Sequence, residues 1–153
     1  MTDLIELDAS DRILIRRLQD DGRASYTDLG REVGMSAPAV RARVRRLVDS
    51  GVLQIAAVTN PLALGLPVMA LIGIKVDRHP REITEALGDI DNVIYLVATA
   101  GSFDLFAEVV CRSMDELSTV INDGIRAIPG VREAESFPYF GIHVHRFDWD
   151  VPD

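Results

Sequence analysis

The chain is poor in the residues on which most covalent and redox chemistry depends. It holds one cysteine, Cys111, among 153 residues. That excludes an internal disulfide framework and fits a reducing compartment. No run of about 18 apolar residues occurs, so no membrane-spanning helix is expected. The longest apolar-rich stretch, 62–76, is interrupted by Gly65, Pro67 and Gly73. No charged–apolar–small leader opens the chain, and the expectation is a cytoplasmic protein without a membrane partner. No paired carboxylates, Ser–His–Asp set or phosphate-binding glycine loop stands at a usable spacing, so neither an enzyme nor a cofactor is expected. His143 and His145 are two apart and would share a strand face as metal ligands do, but no third ligand is near; a wet strand face is the better reading, and no metal site is expected.

Lysine is equally scarce: fifteen arginines stand against Lys75 alone. A GC-rich genome explains that bias as readily as function does. The distribution of charge says more. Residues 1–60 carry nine arginines and nine acids, whereas 61–153 carry seven basic and fifteen acidic residues, so the whole net −8 lies in the second part. Such an excess is ordinary for solubility. It also means that any polyanion-binding surface must be local.

One stretch offers such a surface: residues 27–51, TDLGREVGMSAPAVRARVRRLVDSG. It reads as two helices joined by a tight turn. The first spans 27–33, and Gly34 is free to take the left-handed conformation that closes it. Ser36 is placed to cap the second, with Pro38 in its first turn. Val40, Val44, Leu47 and Val48 form one apolar stripe at i, i+4, i+7, i+8. Arg41, Arg43, Arg45 and Arg46 crowd the same helix, with no acid before Asp49. This pattern suits a helix-turn-helix whose second helix enters the major groove of double-stranded DNA.

Upstream, LDASDRILIRRLQDDGR predicts a helix capped by Asp8, with Asp11 in its first turn, Ile13, Leu14 and Leu18 on one face, and an end near Gly22. Residues 52–58 are β-branched and apolar, which predicts a short strand or wing ended by Asn60-Pro61. The first domain is therefore placed at 1–60, and 61–67 (PLALGLP) reads as a hinge apolar enough to pack against something. The second domain, 68–153, begins with the strand VMALIGIKV. A helix opened by Pro80 follows, with Ile83, Leu87 and Ile90 inward. Strands VIYLVATA and FDLFAEVVC are separated by Gly101-Ser102. A second helix buries Met114, Leu117, Val120, Ile121, Ile125 and Ile128, and extended segments close the chain. The order is βαββαβ. The fold class is thus α+β, a winged helix-turn-helix followed by a ferredoxin-like domain with a four-stranded antiparallel sheet. Several strands are apolar on both faces, so the helix-free face needs a cover. A second copy of the sheet supplies it economically, giving a two-fold dimer that also doubles the recognition helices.

In this order and at these separations the motifs resemble the Lrp/AsnC (leucine-responsive, feast/famine) family of transcription factors. The matching pieces are LDASDRILIRRLQDDGR, TDLGREVGMS with VRARVRRLVDSGV, Asn60-Pro61 with Gly65, Gly101-Ser102-Phe103-Asp104, and Ile128-Pro129-Gly130-Val131; they span about residues 7–149. The resemblance implies an effector-sensing second domain, dimers that assemble to tetramers or octamers, and a small molecule, usually an amino acid, bound between dimers. Pro138 departs from the pattern by falling in the expected fourth strand, where it weakens pairing or marks an edge or bulge.

Candidate DNA contacts are Ser36, Ala37 and Pro38 at the head of the recognition helix, Arg41 and Arg45 toward base edges, and Arg43 and Arg46 toward phosphates. A merely solvated arginine face is the alternative. For the effector, Gly101 and Ser102 offer backbone N–H groups to a carboxylate, and Asp104 an acceptor to an ammonium, the two ends of an amino acid. Thr99, Tyr95 and Ser136 are further candidates to line that pocket; the alternative is an ordinary hairpin turn. Cys111 reads as core. The expected function is a DNA-binding transcriptional regulator whose assembly answers to a small effector. Two rivals stand beside it: an enzyme resembling sirohaem decarboxylases, which share the two-domain plan, and a ligand-independent architectural protein that wraps DNA.

Overall fold

The computed structural model describes residues 5–79, 81–144, 146, 149 and 151. The chain divides into two compact units, one ending at Val58 and including the described residues beyond Val144, the other spanning Thr59–Val144.

The first unit is built on α1 (Ala9–Asp20), α2 (Tyr26–Val33) and α3 (Ala37–Asp49). A capping box starts α1: Asp11 N–H donates to Asp8 Oδ1 at 2.8 Å, and Asp8 N–H donates back to Asp11 Oδ2 at 3.2 Å. Its buried stripe is Asp11, Leu14, Ile15 and Leu18, whereas Ile13, expected inward, faces water. Ser25 caps α2 by accepting from Asp28 N–H at 3.1 Å. Gly34 ends that helix at φ 68°, as expected. The turn between α2 and α3 is tight because Gly30 lies against the Met35 carbonyl, where a Cβ has no room. Val40, Val44 and Leu47 of α3 pack into the core, but Val48 is exposed. Ser36 makes no side-chain cap bond; only its carbonyl serves, accepting from Val40 N–H at 3.0 Å.

Two further expectations are corrected here. Residues 52–58 form no strand. Extended backbone becomes a strand only against a ladder partner, and among the described residues this segment has none. The tail, assigned from sequence to the second domain, contributes to the first: Arg16 Nη2 donates to the Val151 carbonyl and Gln19 Nε2 to that of Trp149, each at 2.8 Å, with Val151 in the core. His145 and Pro80 lie outside the described residues.

The second unit has the expected βαββαβ order: β1 (Val68–Val76), α4 (Arg81–Gly88), β2 (Val93–Ala98), β3 (Leu105–Cys111), α5 (Met114–Thr119) continued by π-helical turns over Val120–Ile125, and β4 (Val131–Pro138). The strands lie in the order β2-β3-β1-β4, all neighbours antiparallel. Period-two alternation turns Ala70, Ile72 and Ile74 of β1 toward Ile83, Leu87, Leu117 and Ile125 of the helices. Cys111 joins that core, and burial raises its thiol pKa. Met114, expected inward, is exposed. Pro138 ends the edge strand β4 opposite Ala70, a position that tolerates a missing N–H. The hinge residues Leu62 and Leu64 form an exposed 3₁₀ turn rather than the packed segment their apolarity suggested.

The helix-free face carries Leu71, Phe106, Val110 and Phe137, with Glu108 among them. Burial and that neighbouring carboxylate push the Tyr139 phenol up to about 12.

Gly30→Ala tests the turn. Alanine's higher helix propensity favours the substitution by about 1 kcal/mol, but the overlap with a backbone carbonyl cannot be relieved by moving a side chain. A net destabilisation of about 2 kcal/mol is expected by chemical denaturation; a stabilised variant would refute the close approach.

Candidate nucleic-acid interface and ligand loop

The four arginines of α3 do not face one way. At roughly 100° per residue, Arg41 and Arg45 share a side, while Arg43 and Arg46 lie toward the other. Arg41 and Arg45 border a shallow concavity with Tyr26, Thr27 and Pro38. Arg41 stands over the Tyr26 ring at 5.8 Å. Arg45 is 82% exposed and reaches Asp49 at 3.5 Å, an exposed i, i+4 pair that holds it weakly. Ser36 and Pro38 are exposed beside them and Ala37 is half-buried. Arg41 and Arg45 thus form an open cationic pair along one side of α3.

Arg43 and Arg46, expected at phosphates, are engaged by carboxylates at the head of α1. Arg43 Nη1 donates to Asp8 Oδ2 at 2.6 Å and to Asp11 Oδ1 at 2.9 Å, and Arg46 Nη2 donates to Asp11 Oδ2. Asp11 is only 1% exposed, the sole buried charged residue among those described. Burial raises its pKa, but the hydrogen bonds from Arg46 and Arg43 outweigh burial and hold the carboxyl below its ordinary 3.8. Sequence reading missed Asp8 and Asp11 as partners of α3, and Tyr26 and Thr27 as walls of the concavity. For Asp11 a signal existed: it occupies the apolar stripe of α1 at i, i+3, i+4, i+7 with Leu14, Ile15 and Leu18.

In the second unit, β2 and β3 are joined by residues 99–104, a longer turn than the Gly101-Ser102 pair expected. Both ends are pinned. Thr99 N–H donates to the Asp104 carbonyl at 2.9 Å and Thr99 Oγ1 to the Phe103 carbonyl at 2.7 Å. Asp104 donates its N–H to the Ile74 carbonyl at 3.0 Å, and its Oδ2 accepts from Val76 N–H at 2.8 Å. Phe103 packs against Gly73, where a Cβ would lie 2.8 Å from the ring, and meets Phe106 and Phe137 edge-on. Gly101 and Ser102 stay exposed at the tip. Tyr95 pairs opposite Glu108 on the helix-free face, whereas Ser136 pairs opposite Ile72 on the helix side. They stand on opposite edges and opposite faces, so one subunit does not bring them together. His143 is exposed, and no metal-binding cluster occurs among the described residues.

Both halves match family models: the AsnC-type helix-turn-helix domain over residues 7–48, and the Lrp/AsnC ligand binding domain over residues 69–147. The chain belongs to the Lrp/AsnC family. Among its relatives is an uncharacterised HTH-type transcriptional regulator of Pyrococcus abyssi, 36% identical over 86% of this chain and 85% of its own. The solved structure of the Mycobacterium tuberculosis leucine response regulatory protein LrpA is similar at 32% identity and TM-score 0.84, covering 91% of this chain and 96% of that one. Escherichia coli AsnC is similar at 26% identity and TM-score 0.81, covering 93% and 97%. This Lrp/AsnC chain is therefore a DNA-binding transcriptional regulator with a ligand-binding domain, in a family of regulators rather than enzymes.

The Asp11 pairing carries an acid dependence. Its folded pKa lies below its ordinary value, so its contribution to stability is complete above about pH 4 and is lost as pH falls through the folded pKa. Thermal melting of the wild type is expected to weaken more steeply below about pH 4 than that of Asp11→Asn. Parallel acid profiles for the two proteins would contradict the pairing.

Proposed function

We propose that this regulator reads DNA through the exposed head of α3, with Arg41 and Arg45 at base edges and Ser36, Ala37 and Pro38 beside them. The observation that carries this is the division of the arginines: Arg41 and Arg45 are exposed and free of the buried carboxylate, whereas half-buried Arg43 and exposed Arg46 are both bonded to Asp11. Guanidinium pairs bidentately with guanine, and helix heads enter the major groove. A second copy covers the apolar helix-free sheet face and supplies the second recognition helix, with further assembly to tetramers or octamers. The effector is an amino acid, in keeping with the ligand-binding family model and with LrpA's name as a leucine response protein. The tip at Gly101 and Ser102 gives it exposed N–H groups. Asp104 contributes through the same loop, although one of its oxygens already serves Val76. Thr99 anchors the turn; Tyr95, and Ser136 from another subunit, complete the pocket only in an assembly. The ligand acts by its difference in affinity between assembly states. The protein works in the cytoplasm.

Binding to the DNA upstream of its own gene, followed over a salt series, tests the reading of α3. Arg41→Ala with Arg45→Ala is expected to abolish preference for that DNA over a random duplex with little change in the salt slope, because base-edge contacts carry sequence rather than phosphate neutralisation. Unchanged binding would sink the assignment. For the effector, thermal shift and oligomer mass are measured across the twenty amino acids. At least one is expected to change both; silence in every case would favour an architectural protein that works without a ligand.

A further inference from the structure

We infer that Asp11, assisted by Asp8, is a specificity-determining residue of this regulator: it withholds Arg43 and Arg46 from the DNA backbone and fixes the face that α3 presents. Three observations carry it. Asp11 is buried on the apolar stripe of α1 and accepts from both arginines, while Asp8 takes a further bond from Arg43. Arg43 and Arg46 are neighbours at i, i+3, turned away from Arg41 and Arg45. Two carboxylates thus meet two guanidiniums, and the charge of α3 available to a polyanion falls from four to two.

Stability alone does not account for this cluster. A buried ion pair is commonly no better than apolar residues of the same volume, and leucines would complete the α1–α3 contact. What leucines would not do is neutralise two cations on a recognition helix. Affinity for any duplex grows with each phosphate neutralised, irrespective of sequence. Specificity is the ratio of operator to non-specific binding, so cations that cannot reach base edges lower it if they are left free. Committing Arg43 and Arg46 to Asp11 removes them from that competition. It also sets the rotation of α3 about its axis, since Arg43 is bonded to two fixed oxygens at the head of α1.

The inference rests on the DNA-facing reading of α3, whose failure would appear separately, as unchanged binding in the Arg41 and Arg45 variant. Its own test uses the full chain carrying Asp8→Asn with Asp11→Asn, which keeps a competent helix cap. A companion carries in addition Arg43→Gln and Arg46→Gln. Affinity is measured for a random-sequence duplex and for the upstream DNA across a potassium chloride series, with circular dichroism as the folding control. The double variant is expected to bind random duplex more tightly, with a slope steeper by between one and two at about 0.9 per phosphate newly neutralised. Its preference for upstream DNA falls severalfold. The fourfold variant is expected to return to the wild-type slope. A folded double variant with an unchanged or shallower slope overturns the inference. So does a fourfold variant whose slope is shallower than wild type by about two, because Arg43 and Arg46 would then touch phosphates in the native protein. If the double variant fails to fold, the fourfold variant, which leaves no buried charge unpaired, decides between the same outcomes.

Discussion

Burying the Asp11 carboxylate between α1 and α3 forces the arginines of the recognition helix to divide. An ionised carboxylate removed from water costs several kcal/mol unless cations and hydrogen bonds replace its hydration. Here Arg43, Arg46 and the Asp8 N–H replace it. A single nitrogen of Arg43, Nη1, reaches both Asp8 and Asp11. Helical geometry then settles the rest. Arg43 is roughly 200° around the axis from both Arg41 and Arg45. Fixing it inward turns those two outward.

Close backbone approaches give both units their local rigidity. In the first, Gly30 of α2 lets the Met35 carbonyl of the α2–α3 turn sit against it, and Gly34 reverses the chain with a positive φ. The angle between the helices is therefore set by backbone contact as well as by adaptable side chains. In the second, Phe103 occupies the space a side chain at Gly73 would fill, and Asp104 ties into the end of β1. The 99–104 loop is held at both ends while its tip stays open. A loop so anchored would lose little further freedom on binding the proposed effector, which favours affinity.

The element order and both core faces were legible in the sequence because periodicity reports them directly. Azimuth was less so. Ile13, Leu14 and Ile15 are consecutive apolar residues, and the stripe could have run through either flank; only Asp11, read as a member of the stripe rather than an N-terminal decoration, points to Ile15. Val48 and Met114 failed for a related reason, since each lies at the end of a stripe where packing has run out. The candidate effector set was split by register. The pairing of β2 with β3 shifts between Val93 and Tyr95, and strand order puts Tyr95 and Ser136 at opposite edges. Neither fact leaves a mark in residue spacing. The tail was opaque as well, because Val151 reaches the first unit's core from the far end of the chain.

Charge counted along the sequence overstates the cation that α3 can offer. Its four arginines look like a basic stripe, yet the structure leaves Arg41 and Arg45 as an open pair and neutralises the others locally. Two guanidiniums compensate few phosphates, so one such helix binds any duplex weakly. In the proposed assembly, affinity comes from presenting several helices together, where each added contact becomes intramolecular. The apolar helix-free sheet of the second unit answers that need in the proposed dimer. On this view the weak single reader and the sticky sheet are complementary: the helix is kept poor in free charge so that sequence is read, and assembly restores the affinity that this restraint gives up.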